Sequence, residues 1–251
     1  MNDANIKFII IGAQKCGTSA LYHDLCKHPQ ISPAVRKEVH YFDSAHYPDH
    51  EWYRDKFPNN KMTGEASPVY LFLPFVPKRM RQFFDDDIRF IIMLRDPVKR
   101  AFSHYNMEKH DGMSFEDIIE SNKTLEVENI LSEMNQWEES NFNVSKITEL
   151  LRWSYLARGR YFEQIKRWFD IFPRENFMIL ESDDYLLNTK DSLKKVQEHI
   201  GLSPDGYSGS IQHIGVYHKK ISDKTKESLR DYYREENEKL YGLLGRRLWN
   251  W

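Results

Sequence analysis

The run Ile6-Lys-Phe-Ile-Ile-Ile11 passes directly into Gly12-Ala-Gln-Lys-Cys-Gly-Thr-Ser19, and that junction constrains the chain more than any other stretch. A continuous apolar, β-branched run bounded by glycine reads as a strand buried on both faces, as in a parallel sheet. From Thr18 to about Lys27 the pattern is helical, with Leu21 and Leu25 on one side, and His28-Pro29 ends it. Strand, glycine turn and helix in that order open a β-α-β unit, whose crossover is right-handed.

The same grammar recurs downstream. Arg89-Phe-Ile-Ile-Met-Leu94 is a second buried strand. It meets Asp96-Pro97, a good N-cap followed by a good first helical residue, so a helix is expected from Pro97 to about Lys109. A third strand, Phe177-Met-Ile-Leu180, follows the amphipathic stretch Ile147 to Phe172, and helices are expected at Thr189–Ile200 and Asp223–Leu244. The expected fold class is α/β: a P-loop-like three-layer domain with a central parallel sheet flanked by helices. The 251 residues fit one such domain, residues 1–251, with no repeats and no low-complexity segment. In such sheets ligands bind beyond the carboxyl ends of the strands, where the motifs below fall.

Composition narrows the partners. A formal net charge of -2 argues against bulk nucleic-acid binding. No apolar run approaches the roughly 20 residues a membrane span needs. The start Met1-Asn-Asp-Ala-Asn5 lacks a basic n-region, and two cysteines, Cys16 and Cys26, build neither a disulfide framework nor a zinc pattern. A cytoplasmic protein is the expectation. Two sequons, Asn122-Lys-Thr and Asn143-Val-Ser, carry little meaning on their own.

The loop at 12–19 turns tightly on its glycines and aims the next helix's N–H groups at an anion. It is not a Walker loop: Gly-x4-Gly is present, but position 18 is Thr where that motif has Lys, and Lys15 sits inside the loop instead. Such a lysine can reach the bridging oxygen of a phosphosulfate, with Thr18 and Ser19 adding hydroxyl donors. A sulfuryl group carries less charge than a γ-phosphoryl group, so a metal is not obligatory. Arg95, at the end of the second strand, and Ser103, two turns into the following helix, would form a separate anion site. Taken alone, Arg95 beside Asp96 and a solvent-facing serine would serve equally well as a reading. Two anion sites on neighbouring strand ends suit a 3′,5′-bisphosphonucleotide. In Lys37-Glu-Val-His-Tyr-Phe42, alternation along an extended segment puts Glu38, His40 and Phe42 on one face. A carboxylate beside an imidazole can deprotonate an acceptor hydroxyl or amine. No third ligand supports a metal site there.

Taken together these motifs resemble the PAPS-dependent sulfotransferases (PAPS is 3′-phosphoadenosine 5′-phosphosulfate), closest to the heparan-sulfate-type and bacterial members. Gln14-Lys-Cys-Gly-Thr-Ser19 looks like their 5′-phosphosulfate loop, and Arg95 with Ser103 like their 3′-phosphate motif. The likeness continues through Lys37-Glu-Val-His-Tyr-Phe-Asp43, Gly64-Glu-Ala-Ser-Pro-Val-Tyr70, Gly159-Arg-Tyr-Phe-Glu-Gln-Ile-Lys-Arg-Trp168 and Glu235-Glu-Asn-Glu-Lys-Leu-Tyr-Gly-Leu-Leu244. It implies sulfuryl transfer from PAPS, with adenosine 3′,5′-bisphosphate as product and no metal. Gln14, Lys15, Cys16, Gly17, Thr18, Ser19, Ala20, Arg95 and Ser103 would hold the donor. Lys15, Glu38 and His40 would be catalytic, with Glu38 the base, and Glu65, Ser67 and Tyr70 would meet the acceptor. Two departures stand out. Ala66 replaces the lysine common in glycan enzymes, and Val216–Ser222 is short and glycine-free where those enzymes close a basic loop over the donor. The segment Met113–Ser145 is the expected lid.

Trp153, Tyr161, Trp168 and Phe169 recur at helical spacings, which favours core packing over a sugar platform, and Trp249 and Trp251 are expected to pack back on the domain. Sugars, lipids, other natural-product hydroxyls and amines all remain compatible acceptors. A small-molecule P-loop kinase with Asp96 as metal ligand, and a non-catalytic relative that binds a bisphosphonucleotide or glycan, are the competing readings.

Overall fold

In a computed structural model, residues 4–44, 47, 49–58, 61–108, 112–123, 144–204 and 220–249 are described. Five parallel strands form one sheet in the order β2-β3-β1-β4-β5, with β1 Asn5–Gly12, β2 Ile31–Pro33, β3 Met62–Ala66, β4 Arg89–Leu94 and β5 Phe177–Glu181. The two apolar runs form the middle of it. Ile9, Ile10, Ile91 and Ile92 are fully buried because helices cover both faces of a parallel sheet. The expected α/β, P-loop-like architecture is therefore present.

Helices α1 Thr18–Leu25, α2 His50–Arg54, α3 Val76–Phe83, α4 Pro97–Tyr105 and α5 Phe115–Lys123 occupy the first half. The second half carries α6 Val144–Trp153, α7 Tyr161–Phe169, α8 Ser182–Leu187, α9 Thr189–His199 and α10 Asp223–Leu244. Strand β4 and helix α10 have the expected bounds, and Asp96 caps α4 through its Oδ1, which accepts from Val98 N and Lys99 N at 2.8 and 3.1 Å. That helix stops at Tyr105, four residues before the expected end. The stretch 147–172 is two helices joined by the 3₁₀ turn Ala157–Gly159. The break has a packing cause. A Cβ on Gly159 would lie 2.7 Å from Tyr233 Oη and 2.9 Å from Pro97 Cβ, so the backbone passes where a side chain cannot.

Two buried clusters result. One lies on the sheet; the other joins α4, α5 and α10 through Phe102, Phe115, Ile118, Tyr155, Leu229 and Tyr233. Trp168 and Tyr161 belong to the core, and Phe169 packs against it, as the helical spacing implied. Trp249 packs back against Tyr161 and Tyr241; Trp251 lies outside the described residues. Asn122 is buried, donating to Ile118 O and accepting from Leu156 N, so its sequon offers no glycan attachment. Asn143 lies outside the described residues. Among those described, no helix is long and apolar enough to cross a membrane.

Candidate active site

The topology itself creates a crevice. From β1 the chain moves out towards β2, and from β4 it moves the other way to β5, so the strand order reverses between β1 and β4. Loops diverging at such a point leave room for a ligand at the carboxyl ends. The loop after β1 and the junction after β4 flank that crevice, and Ala13 N donates to Met93 O at 2.7 Å to tie them together.

In the first loop, Lys15 has φ 70° and Gly17 φ 89°, the left-handed conformation that turns the chain into α1. Gly17 and Ser19 are exposed; Gln14, Lys15 and Ala20 are half-buried; Thr18 is buried. Cys16 is also buried, its Sγ 3.7 Å from Tyr161 Oη, and burial pushes its thiol up to about 11. It is therefore a neutral packing residue, and any part it takes in holding a donor is through its backbone. Gln14 Oε1 accepts from Arg158 Nη1 at 2.5 Å, and Arg158 Nε donates to Ser154 Oγ at 2.9 Å. Burial, and then the neighbouring Arg100, bring the Arg158 guanidinium down to about 9. Nothing in the sequence signalled Arg158; its position depends on the turn at 157–159.

Across the crevice, Arg95 is half-buried, and its backbone oxygen accepts from Tyr161 Oη at 3.0 Å. Its Nε is buried without a hydrogen-bond partner among the described residues. Ser103 is 3% exposed, so the solvent-facing alternative does not hold. Asp96 spans two backbone N–H groups as a helix cap, which disfavours it as a metal ligand. Among the described residues no group of three or more His, Cys, Asp or Glu is placed to hold a metal.

The segment 37–43 corrects one expectation. It is not extended: Glu38 and His40 both have left-handed backbone, φ 62° and 56°. Two such non-glycine residues cost roughly 1 kcal/mol or more each. Their side chains still meet, Glu38 Oε2 lying 3.3 Å from His40 Nε2, but Phe42 turns into the core. Lys37 Nζ donates to Glu38 Oε1 at 2.5 Å, and His40 Nδ1 lies 2.8 Å from Asp43 Oδ2. The His40 contact, followed by Lys37, brings Glu38 down to about 2. Asp43 first and Glu38 second raise His40 to about 10. At neutral pH Glu38 is a carboxylate and His40 an imidazolium. Asp43 was missed as a site residue, although it closes the Lys37–Asp43 segment three positions after His40.

Glu65, Ser67 and Tyr70 are fully buried at the end of β3. In this structure they bond to the backbone of residues 39–42 from beneath. Lys220 is exposed, while 216–219 and most of the expected lid, 124–143, lie outside the described residues.

With that geometry in place, comparison with known proteins is informative. The family model described as "Sulfotransferase domain" matches residues 5–240. Membrane-associated sulfotransferase kil1 of Dictyostelium discoideum is 27% identical over 95% of this chain and 65% of its own length. Mouse heparan sulfate glucosamine 3-O-sulfotransferase 3B1 is 27% identical over 95% of this chain and 63% of its own. The chain thus spans just under two thirds of these relatives. A crystal structure of a sulfotransferase from Alicyclobacillus acidocaldarius superposes with TM-score 0.77 at 26% identity, covering 98% of both chains.

Proposed function

The chain belongs to the sulfotransferase domain family, and from that membership we propose that it transfers a sulfuryl group from PAPS to a hydroxyl or amine acceptor. The observation that carries this reading is the crevice between β1 and β4. A Lys-bearing anion loop forms one wall, and Arg95, with a buried unpartnered Nε, stands at the other. Two separated anion sites match a nucleotide phosphorylated at both the 3′ and 5′ positions, and a triphosphate has no use for the second.

The chemistry is an in-line displacement. The acceptor oxygen or nitrogen attacks sulfur, and the bond from sulfur to the 5′-phosphate oxygen breaks. The leaving phosphate takes the electron pair, with Lys15 donating to it, while Arg95 and Ser103 hold the far end of the donor. The acceptor proton passes to Glu38. A carboxylate whose pKa is about 2 is a weak base, which suits a late proton transfer: the acceptor becomes strongly acidic only as its bond to sulfur forms. Positioning and electrostatic stabilisation supply most of the rate. Gln14, Gly17, Thr18, Ser19 and Ala20 complete the donor loop, and Cys16 contributes backbone. The chemistry calls for no metal. Relatives named for heparan sulfate glucosamine favour a sugar hydroxyl among acceptors, whereas Ala66 disfavours a heavily sulfated one. The unpaired Cys16 and Cys26 support a cytoplasmic setting.

Thermal unfolding in the presence of nucleotides tests the donor class. A ligand that binds only the folded state raises the melting temperature as it saturates. Adenosine 3′,5′-bisphosphate without metal is expected to stabilise the protein, with ADP and ATP-magnesium having little effect. Stabilisation by ATP-magnesium alone would replace sulfuryl transfer with kinase chemistry.

A further inference from the structure

Residues 39–42 present four successive backbone N–H groups, and each is bonded to a side chain that belongs to one buried network. Val39 N donates to Glu65 Oε2 at 3.2 Å, and His40 N to Ser67 Oγ at 3.3 Å. Tyr41 N and Phe42 N both donate to Tyr70 Oη, at 2.9 and 3.4 Å. Ser67 Oγ and Tyr70 Oη in turn donate to the two oxygens of Glu65, at 2.6 and 3.2 Å, and Tyr53 Oη from α2 adds a bond of 2.8 Å. Every one of these side chains is fully buried.

Left-handed residues that alternate along a chain turn successive N–H groups to one side, forming a concavity suited to an anion. Glu38 and His40 supply that alternation here. The acceptor filling the concavity is the protein's own Glu65 side chain, directly at Val39 and through the Ser67 and Tyr70 hydroxyls at the next three positions. The unfavourable backbone at Glu38 and His40 is thus held by the Glu65 side chain lying beneath it at the end of β3. Burial raises the Glu65 pKa while Ser67 and Tyr53 oppose that rise. Its donors are all neutral and no cation pairs with it in the network, so the bonds it accepts are what hold it there.

We propose that Glu65 is a positioning residue for sulfuryl transfer. It fixes the left-handed loop that brings Glu38 and His40 together, with Ser67 and Tyr70 as its extensions, and it does not contact the acceptor. This rests on Glu38 being the base. A glutamine in its place keeps the shape but swaps one acceptor oxygen for an NH₂ group, which faces donors on whichever side it turns.

The test is Glu65→Gln, with Ser67→Ala and Tyr70→Phe as milder variants should the first not fold. Thr63→Val is the control, removing a buried hydroxyl bond to Ser32 O elsewhere on β3. Glu65→Gln is expected to lower kcat about 100-fold through misplacement of the base. The acceptor KM and stabilisation by adenosine 3′,5′-bisphosphate should stay as in the native protein, and Thr63→Val should keep native kcat. The NMR titration of His40, identified by its loss in His40→Asn, is expected to fall from its raised position towards the ordinary histidine range. A native kcat, or a raised acceptor KM with kcat unchanged, would overturn the assignment, the latter in favour of direct acceptor contact. The titration needs no turnover. If the native protein transfers no sulfuryl group, loss of the His40 shift in Glu65→Gln still supports the positioning role, and its retention still refutes it.

Discussion

At the scale of single residues, the proposed proton transfer and its pH dependence centre on the array Lys37–Glu38–His40–Asp43. Glu38 is depressed to about 2, so the stability it contributes is complete above its ordinary 4.5 and is lost as pH falls through about 2. His40 is raised to about 10, so its contribution is complete below 6.5 and is lost as pH rises through about 10. Both side chains are about 40% exposed, which keeps their effect on overall stability modest. Asp43 is the largest cause of the His40 shift, so Asp43→Asn should move the His40 titration to lower pH. An unmoved titration, followed by NMR, would remove Asp43 from the array. Lys15→Ala and Glu38→Gln should each lower kcat by about 100- to 10,000-fold, within the range of general acid–base and electrostatic contributions. Glu38→Gln should leave bisphosphonucleotide stabilisation nearly native, and comparable loss of donor binding would refute its assignment as base.

At the scale of elements, the turn Ala157–Gly159 links three parts of the molecule. It carries Arg158 to Gln14, passes under Pro97 at the start of α4, and receives Tyr233 of α10, whose Oη donates to Leu156 O at 2.9 Å. Gly159→Ala forces a methyl into that contact, and overpacking of this kind costs about 1–3 kcal/mol. Urea denaturation should show the loss; an unchanged midpoint would mean that α10 yields freely. The same turn shows where sequence reading stops. Strand β4, helix α10 and the caps at Asp96 were legible because long apolar runs and capping chemistry are local signals. Strands β2 and β3 were not, since Ile31-Ser-Pro33 and Met62-Thr-Gly-Glu-Ala66 are short, and the second is half polar. Their strand state comes from pairing with β1 and with each other. In the candidate site, the motif residues could be found from spacing and resemblance. The left-handed backbone at 38 and 40 could not, because it is imposed by buried groups about 25 to 30 positions away in the chain.

At the scale of the whole molecule, a parallel sheet whose order reverses between β1 and β4 places the two proposed anion sites, the loop around Lys15 and the junction at Arg95, on opposite sides of one crevice, each after a different strand. A ligand that spans the crevice should therefore couple them. Arg95→Ala removes a charge-assisted donor from one wall only. Such bonds contribute about 1.5–3 kcal/mol, which is roughly a 10- to 100-fold change in affinity. The expected loss falls on nucleotides that carry a 3′-phosphate. Calorimetric titration of the native and Arg95→Ala proteins with adenosine 3′,5′-bisphosphate and with adenosine 5′-monophosphate separates the sites. In the native protein the bisphosphate should bind more tightly by about that factor, and in Arg95→Ala the two nucleotides should converge, because the loop around Lys15 is left intact. Equal weakening of both ligands would mean that Arg95 shapes the crevice as a whole, and the division of the donor between two strand ends would fail.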